Sequence, residues 1–147
     1  MKLTALCHAA CAFLLTACTQ NWLLPNSLPP LEGVRQYSIV NEQTYETSLL
    51  LVQPFAQGQR WIQTNALGAP LARQILTPKG WQNDGFLPPN NQASRLFSAI
   101  LYWQTPAKVR SALYKNLATD QYWQIQSIDQ HAVIHIDNEA WRITPLP

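Results

Sequence analysis

From residue 35 onward, apolar and polar residues alternate with a period close to two. The stretches RQYSIVNE and YETSLLLVQP are rich in Tyr, Ile, Val and Thr, which is typical of β-strands. In the second stretch Leu49 and Leu51 fall on one face while Leu50 and Val52 fall on the other, so we expect this strand to be covered on both sides. Turn signals follow at intervals of about ten residues and predict an antiparallel meander: QGQ at 57–59, LGAP at 67–70 and PKG at 78–80.

The period changes to that of an α-helix in NNQASRLFSAILYWQ, residues 90–104. Asn90 or Asn91 is suited to cap its start, and its apolar residues form one stripe: Ala93, Leu96, Phe97, Ile100 and Leu101. A second helix is predicted in TPAKVRSALYKNL, with Thr105 as candidate N-cap and Pro106 as first helical residue. Its apolar stripe consists of Val109, Ala112, Leu113 and Leu117.

The C-terminal segment YWQIQSIDQHAVIHIDNEAWRITP predicts three paired strands. The strand pairing follows if Asp129-Gln130 and Asp137-Asn138 are two-residue turns, which Asp and Asn favour. The pairing then places these apolar pairs on one face: Ile125 with Ile134, Trp123 with Ile136, Trp141 with Ile134, and Ile143 with Ala132. Apart from Val133, the other face is polar: Gln124, Gln126, His131, His135, Arg142 and Thr144.

Six tryptophans are unusual in a chain of this length, because Trp is costly to place unless it fills a core or a ligand surface. If the helices seal the apolar face of the sheet, these residues are core. If the sheet curves around a gap, they line an apolar pocket for a lipid or acyl group. Both interpretations concern the same residues: Trp61, Trp103, Trp123, Ile125, Ile134 and Trp141.

Residues 1–17 have the layout of a secretory signal: a basic start at Lys2, an apolar run from Leu3 to about Leu15, then small residues. The run is shorter than the roughly 20 apolar residues that span a bilayer. Leu15-Thr16-Ala17-Cys18 resembles the lipobox of bacterial lipoproteins. The resemblance implies that Cys18 receives a diacylglyceryl group, that cleavage occurs before it and that the new amine is acylated, for example with palmitate. The alternative is an ordinary cleaved signal.

The predicted anchor sets the compartment. Thr19 follows the lipidated cysteine, and by resemblance to enterobacterial, Gram-negative lipoproteins the lack of Asp there favours the periplasmic face of the outer membrane. Residues 18–33 are rich in Pro and predict a tether; Trp22-Leu23-Leu24 either rest on the bilayer or pack on the domain. Cys7 and Cys11 leave with the signal, so no thiol remains for disulfides, metal binding or catalysis.

Charge and motifs exclude several function classes. The chain has ten basic and eight acidic residues, and loss of Lys2 leaves a net charge of about +1 without a basic stripe, which argues against nucleic acid as a partner. His131 and His135 invite a metal interpretation, with Asp137 nearby, but four residues of strand span about 13 Å, too far for one ion. No G-x-S-x-G motif and no Gly-rich phosphate loop is present. We expect no enzyme, no metal and no cofactor beyond the covalent lipid.

LGAPLARQIL, KGW and FLPP, followed by RLFSAILYWQTPAKVRSAL, resemble an uncharacterised family of bacterial lipoproteins, a domain of unknown function. That family is encoded beside aryl-polyene and related fatty-acid-type synthesis genes, and the match spans roughly residues 34–143. The family distantly resembles outer-membrane lipoprotein carrier and receptor proteins, which are incomplete β-barrels closed by helices over an apolar cavity. Residues 67–71 are similar to a turn in the receptor, but the chain lacks an obvious apolar loop for membrane insertion.

The resulting expectation is one α+β domain at 34–147, with a strongly curved antiparallel sheet and two amphipathic helices over its concave face. The expected function is a non-enzymatic outer-membrane lipoprotein that binds or transfers an apolar cargo, an aryl-polyene-type lipid or an acyl chain. The alternative is a docking lipoprotein with a filled core, whose sheet edge or neutral Gln-rich face binds an envelope export or assembly machine. A third hypothesis, an enzyme using His135 and Asp137, requires these residues in a cleft.

Overall fold

A computed structural model describes residues 22–56 and 58–147; the predicted signal segment and Cys18 lie outside them. The described chain forms eight strands: β1 (Arg35–Asn41), β2 (Thr47–Phe55), β3 (Gly58–Asn65), β4 (Pro70–Thr77), β5 (Gly80–Asn83), β6 (Gln124–Ile128), β7 (His131–Ile136) and β8 (Glu139–Leu146). Two helices separate β5 from β6: α1 (Asn91–Gln104) and α2 (Ala107–Leu113). The prediction of an α+β fold with an antiparallel sheet and two helices is confirmed.

All eight strands belong to one open sheet in the order β5-β4-β3-β2-β1-β8-β7-β6. The sheet is built from two meanders, β1 to β5 and β6 to β8, which join where β1 pairs with β8. Ile39 lies opposite Ile143 at this junction. The strands of each meander are neighbours in sequence, so short turns are enough to connect them.

The C-terminal meander has the register that the alternation predicts. Ile125 faces Ile134, Ile134 faces Trp141, and Ala132 faces Ile143. The turns at 129–130 and 137–138 are also confirmed, and Asp129 and Asp137 both take positive φ, a conformation that Asp tolerates better than most residues. Trp123 directly precedes β6 and therefore lies just outside the paired ladder.

The expectation that β2 is covered on both sides is wrong. Leu50 and Val52 are buried, whereas Leu49 is 45% exposed and Leu51 is half-buried. The buried core includes α1 residues on the same face of the sheet as Leu50, and Leu49 points to the opposite face. A run of four aliphatic residues therefore does not distinguish a strand buried on one face from one buried on both.

Helix α1 supplies most of the helical contribution to the core. Asn90 caps its start by accepting a hydrogen bond from the Ala93 backbone N–H, and the predicted stripe is buried. The helix ends at Thr105, whose backbone N–H and hydroxyl both donate to the Leu101 carbonyl. Thr105 is thus the C-cap of α1 and not the predicted N-cap of the second helix, which begins one residue later than expected, at Ala107.

Helix α2 spans only seven residues and contains no buried residue. Its predicted apolar stripe is exposed or half-buried, with Val109 and Ala112 on the solvent side. The helix instead packs through its end, where Tyr114 lies edge-on against Tyr102 with ring centroids 4.9 Å apart. The guanidinium of Arg110 also stacks over the Tyr102 ring.

Residues 22–33 form no helix or strand but lie along the domain. Leu23, Leu24, Leu28 and Leu31 pack against the core, and Pro29 is buried. The Pro29 carbonyl accepts a hydrogen bond from the Gln59 side chain, a buried amide at the start of β3. These contacts match the simpler of the two sequence interpretations of this segment, packing on the domain.

Candidate functional site

The interior between α1 and the sheet is filled by side chains. Trp61 on β3 and Phe97 on α1 are fully buried, with ring centroids 5.4 Å apart. Trp81 on β5 completes the cluster and lies edge-on to Trp61 at 5.5 Å. Its indole N–H donates to the Ser98 hydroxyl, so the polar atom of this half-buried ring is satisfied.

The six residues predicted for a cavity or core separate into two environments. Trp61 and Ile134 are fully buried, and Trp123 nearly so; Trp103 and Ile125 are half-buried at the β6 side of the core. None of these five residues lines the open cleft at one end of the sheet. Trp141 alone combines a buried ring with a position at the floor of an open cleft.

The cleft lies at the end of the sheet where β1 and β3 finish and β2, β4 and β8 begin. Its volume is about 560 Å³, and it opens to solvent. The floor consists of Ile39, Ser48, Gln63 and Trp141. A side pocket of about 240 Å³ shares Gln63 and Trp141 and extends to the start of α1. The cleft is therefore bounded by three strand connections and one helix N-terminus.

Two leucines make one wall of the cleft apolar and accessible. Leu67 is at the tip of the β3–β4 turn and is 93% exposed. The Asn65 side chain shapes this turn by accepting hydrogen bonds from the Leu67 and Ala69 backbone N–H groups. Leu71 is 46% exposed, and it lies at a register shift that sets Gln63 opposite Ala72 and Thr64 opposite Pro70, so that Leu71 has no partner on β3.

The cleft floor carries polar groups that are already paired with one another. The Gln63 amide donates to the Ser48 hydroxyl at 2.8 Å. On the rim, the Gln92 amide donates to the Glu139 carboxylate. These amides and hydroxyls make the lining mixed in character, with apolar side chains beside hydrogen-bonding groups.

The charges on the cleft lining are negative. Among the described residues, Glu46 and Glu139 line the main cleft, and no Lys or Arg does. Two arginines lie nearby, but each is paired: Arg95 lies 2.6 Å from Asp137, and Arg142 lies 2.8 Å from Glu42. The hydrogen bond from Arg95 holds the pKa of Asp137 below its ordinary value. The two lining carboxylates thus have no ion-pair partner in the described chain.

The two candidate catalytic residues, His135 and Asp137, have different neighbours. His135 lies on the polar face of β7, opposite Gln124 and Ala140, whereas Asp137 turns towards Arg95 on α1. Within residues 22–56 and 58–147, no group of three His, Cys, Asp or Glu side chains is placed to hold a metal ion.

The cleft is not evident from the sequence. Its lining comes from four separate stretches of the chain: 39–48, 63–71, Gln92 and 139–141. Neither the register shift beside Leu71 nor the presence of Glu46 and Glu139 in one cleft has a local signature. One signal was available: Leu67 is a large apolar residue inside a turn motif, where polar residues are usual.

Comparison of the chain with protein families, with curated proteins and with solved structures finds no match. The resemblance to a lipoprotein family therefore stays a prediction. None of the helices within the described part of the chain is long and apolar enough to cross a membrane.

Proposed function

We propose that the protein is a non-enzymatic lipoprotein, anchored through Cys18 to the periplasmic face of the outer membrane, that docks an envelope protein in its cleft. The observation that carries this proposal is the contrast between the filled apolar interior around Trp61 and the open, partly polar cleft above Trp141. The fold proposed with it is a strongly curved sheet whose concave side holds the helices, supported by the packing of Phe97 against Trp61.

The proposed anchor would direct the cleft away from the membrane. Four peptide units separate Cys18 from Trp22, so a lipid on Cys18 would lie within about 15 Å of Trp22. The segment that follows runs along the opposite end of the sheet, where Leu24 lies beside Gly80 and Pro29 contacts Gln59 at the start of β3. The cleft is at the other end of β3, near Asn65. A partner would therefore approach from the periplasm.

Docking of a protein is favoured over binding of an acyl chain because of the groups at the cleft floor. Ser48, Gln63 and Asn41 keep their internal hydrogen bonds under an acyl chain, but the chain would displace water from their remaining donor and acceptor positions without replacing it. Such burial costs about 1–3 kcal/mol for each position that loses its water. A peptide offers both apolar side chains for Leu67 and Leu71 and backbone groups for the amides.

A second candidate function is transport or storage of an apolar cargo, an aryl-polyene-type lipid or an acyl chain. The exposed Leu67 and Leu71 favour it, and the cleft volume of about 560 Å³ lies within the range of about 300–1,000 Å³ usual for small-molecule sites. This candidate needs the cargo to lie over the leucine wall and avoid the carboxylates.

The two candidates are separated by site-specific photo-crosslinking in the native host. A benzophenone amino acid replaces Leu67 at the cleft rim, and a matched control replaces Val109, an exposed residue of α2 outside the cleft. For the docking function we expect one discrete protein adduct at position 67 that is absent at position 109. Native mass spectrometry of the membrane-extracted protein is expected to show no bound lipid.

A lipid adduct at position 67, together with a lipid retained in native mass spectra, would replace docking by the cargo function. If positions 67 and 109 give the same adducts, or neither gives any, the cleft is not the functional surface and the proposal is wrong.

A further inference from the structure

We propose that the cleft accepts a cationic side chain, Lys or Arg, from the docked partner, with the aliphatic stem of that side chain on Trp141 and Leu71. This inference rests on the proposed docking function and names the chemistry that the cleft recognises. The supporting observation is a cleft whose lining combines an aromatic residue, aliphatic residues and negative charge.

The charge of the lining selects a cation. Glu46 and Glu139 both line the cleft, and the nearby arginines are occupied by Asp137 and Glu42. An anionic ligand would meet two carboxylates that have no ion-pair partner, whereas a cation gains a charge-assisted hydrogen bond to either of them without displacing an existing ion pair.

The helix dipole acts in the opposite direction but is weaker. Helix α1 begins beside the cleft, and its N-terminus is equivalent to about half a positive charge. Asn90 caps the Ala93 N–H and so satisfies one of the exposed donors. Two full negative charges at Glu46 and Glu139 outweigh this contribution.

The apolar part of the cleft suits the stem of a long basic side chain. Lys and Arg bury their methylene groups along apolar surfaces while the charged head stays hydrated or paired. Leu71 and Trp141 supply such a surface in the same cleft as the carboxylates. A small inorganic cation would leave this surface unused, and no third acidic side chain completes an ion site among the described residues.

The test uses the full chain in detergent micelles, with binding followed in ¹H–¹⁵N NMR spectra by the indole signal of Trp141 and the side-chain amides of Gln63 and Gln92. The probes are the N-acetyl methylamides of arginine and lysine, with norleucine as the neutral and glutamate as the acidic control of similar length. We expect millimolar binding of the two cations, about tenfold tighter than norleucine, since one charge-assisted contact is sufficient for that ratio. Raising the salt from 0.05 to 0.5 M is expected to weaken the cation binding severalfold.

The variant that removes the recognition charges is Glu46→Gln combined with Glu139→Gln, expected to lose about tenfold in affinity for the cations. Its matched control, Glu32→Gln with Asp120→Asn, changes the net charge equally at two exposed carboxylates outside the cleft lining. The control is expected to bind both cations as the unmodified chain does. Norleucine binding is expected to be the same in all three proteins.

The inference is overturned if norleucine or glutamate binds as tightly as arginine and lysine, or if the Glu46/Glu139 variant binds the cations unchanged. If the cation probes fail while the protein adduct at position 67 persists, docking stands and its cationic chemistry is wrong. If the cations bind as expected but position 67 captures no protein, the cleft chemistry stands and the docking function is wrong.

Discussion

Truncation of Phe97 to Ala distinguishes a filled interior from a cavity that holds a lipid. Phe97 is fully buried, and its ring contacts Trp61 and Trp81 at centroid distances of 5.4 and 5.7 Å. If these three rings form a close-packed core, removal of the phenyl group costs the transfer free energy of the ring and leaves a void that its neighbours fill only in part. Such truncations destabilise proteins by about 3–5 kcal/mol.

The expected loss is large enough to measure directly. With an unfolding entropy of about 2.1 cal/mol/K per residue over a domain of roughly 126 residues, 4 kcal/mol lowers Tm by about 15 °C. With an m-value of about 2 kcal/mol/M, it lowers the urea midpoint by about 2 M. Urea titration followed by tryptophan fluorescence is the assay, because Trp61 and Trp81 lie against the deleted ring.

The matched control is Phe86→Ala, which deletes the same ring from a fully exposed position in the β5–α1 connection. We expect a change within about 0.5 kcal/mol for this surface variant. The interior is not a close-packed core if Phe97→Ala costs less than about 1 kcal/mol, or if an added acyl lipid restores the urea midpoint of this variant while leaving the unmodified protein unaffected.

Two further predictions concern the anchor and an ion-pair network. Cys18→Ser is expected to abolish palmitate labelling of the protein, while the unmodified chain is labelled; persistent labelling of the variant would show that Cys18 is not the lipidation site. Asp84 accepts a hydrogen bond from Arg73, which with the charge of Arg60 holds the pKa of this carboxyl below its ordinary value of 3.8. A lowered folded-state pKa stabilises the fold at pH values above the ordinary pKa, and this stabilisation is lost as the pH falls through the folded-state pKa. In urea titrations Asp84→Asn is therefore expected to cost about 1 kcal/mol at pH 7 and less at pH 2. An equal cost at both pH values would contradict this role of Asp84.

The register of the C-terminal strands was predictable because two-residue turns and a period of two leave only one pairing that keeps Ile125, Ile134 and Ile143 on one face. Helix α1 was predictable for the same kind of reason, since its stripe and its Asn90 cap are local features. The cap assignment at Thr105 failed because a Thr before Pro suits the end of one helix as well as the start of the next.

The candidate site could not be predicted from local patterns. Leu71 lines the cleft beside a register shift between β3 and β4, and Glu46 and Glu139 are 93 positions apart in sequence yet line one opening. Periodicity specifies which face of a strand a residue occupies, but not where along the sheet two strand ends meet. The apolar pattern also could not distinguish a core from a lipid pocket, because both require the same residue types.

The sequence by itself determined the strand and helix pattern, the central apolar residues and a prediction that Cys18 carries the anchor. The strand and helix pattern depends on residues close to one another in the chain, and the anchor prediction depends on a short contiguous motif. Only the tertiary structure decided that Trp61 and Phe97 fill the space between α1 and the sheet, and that Glu46, Glu139, Leu67 and Trp141 surround an open cleft. Packing of distant segments decides whether apolar side chains meet one another or leave a space, and that choice depends on strand order and on where each connection turns.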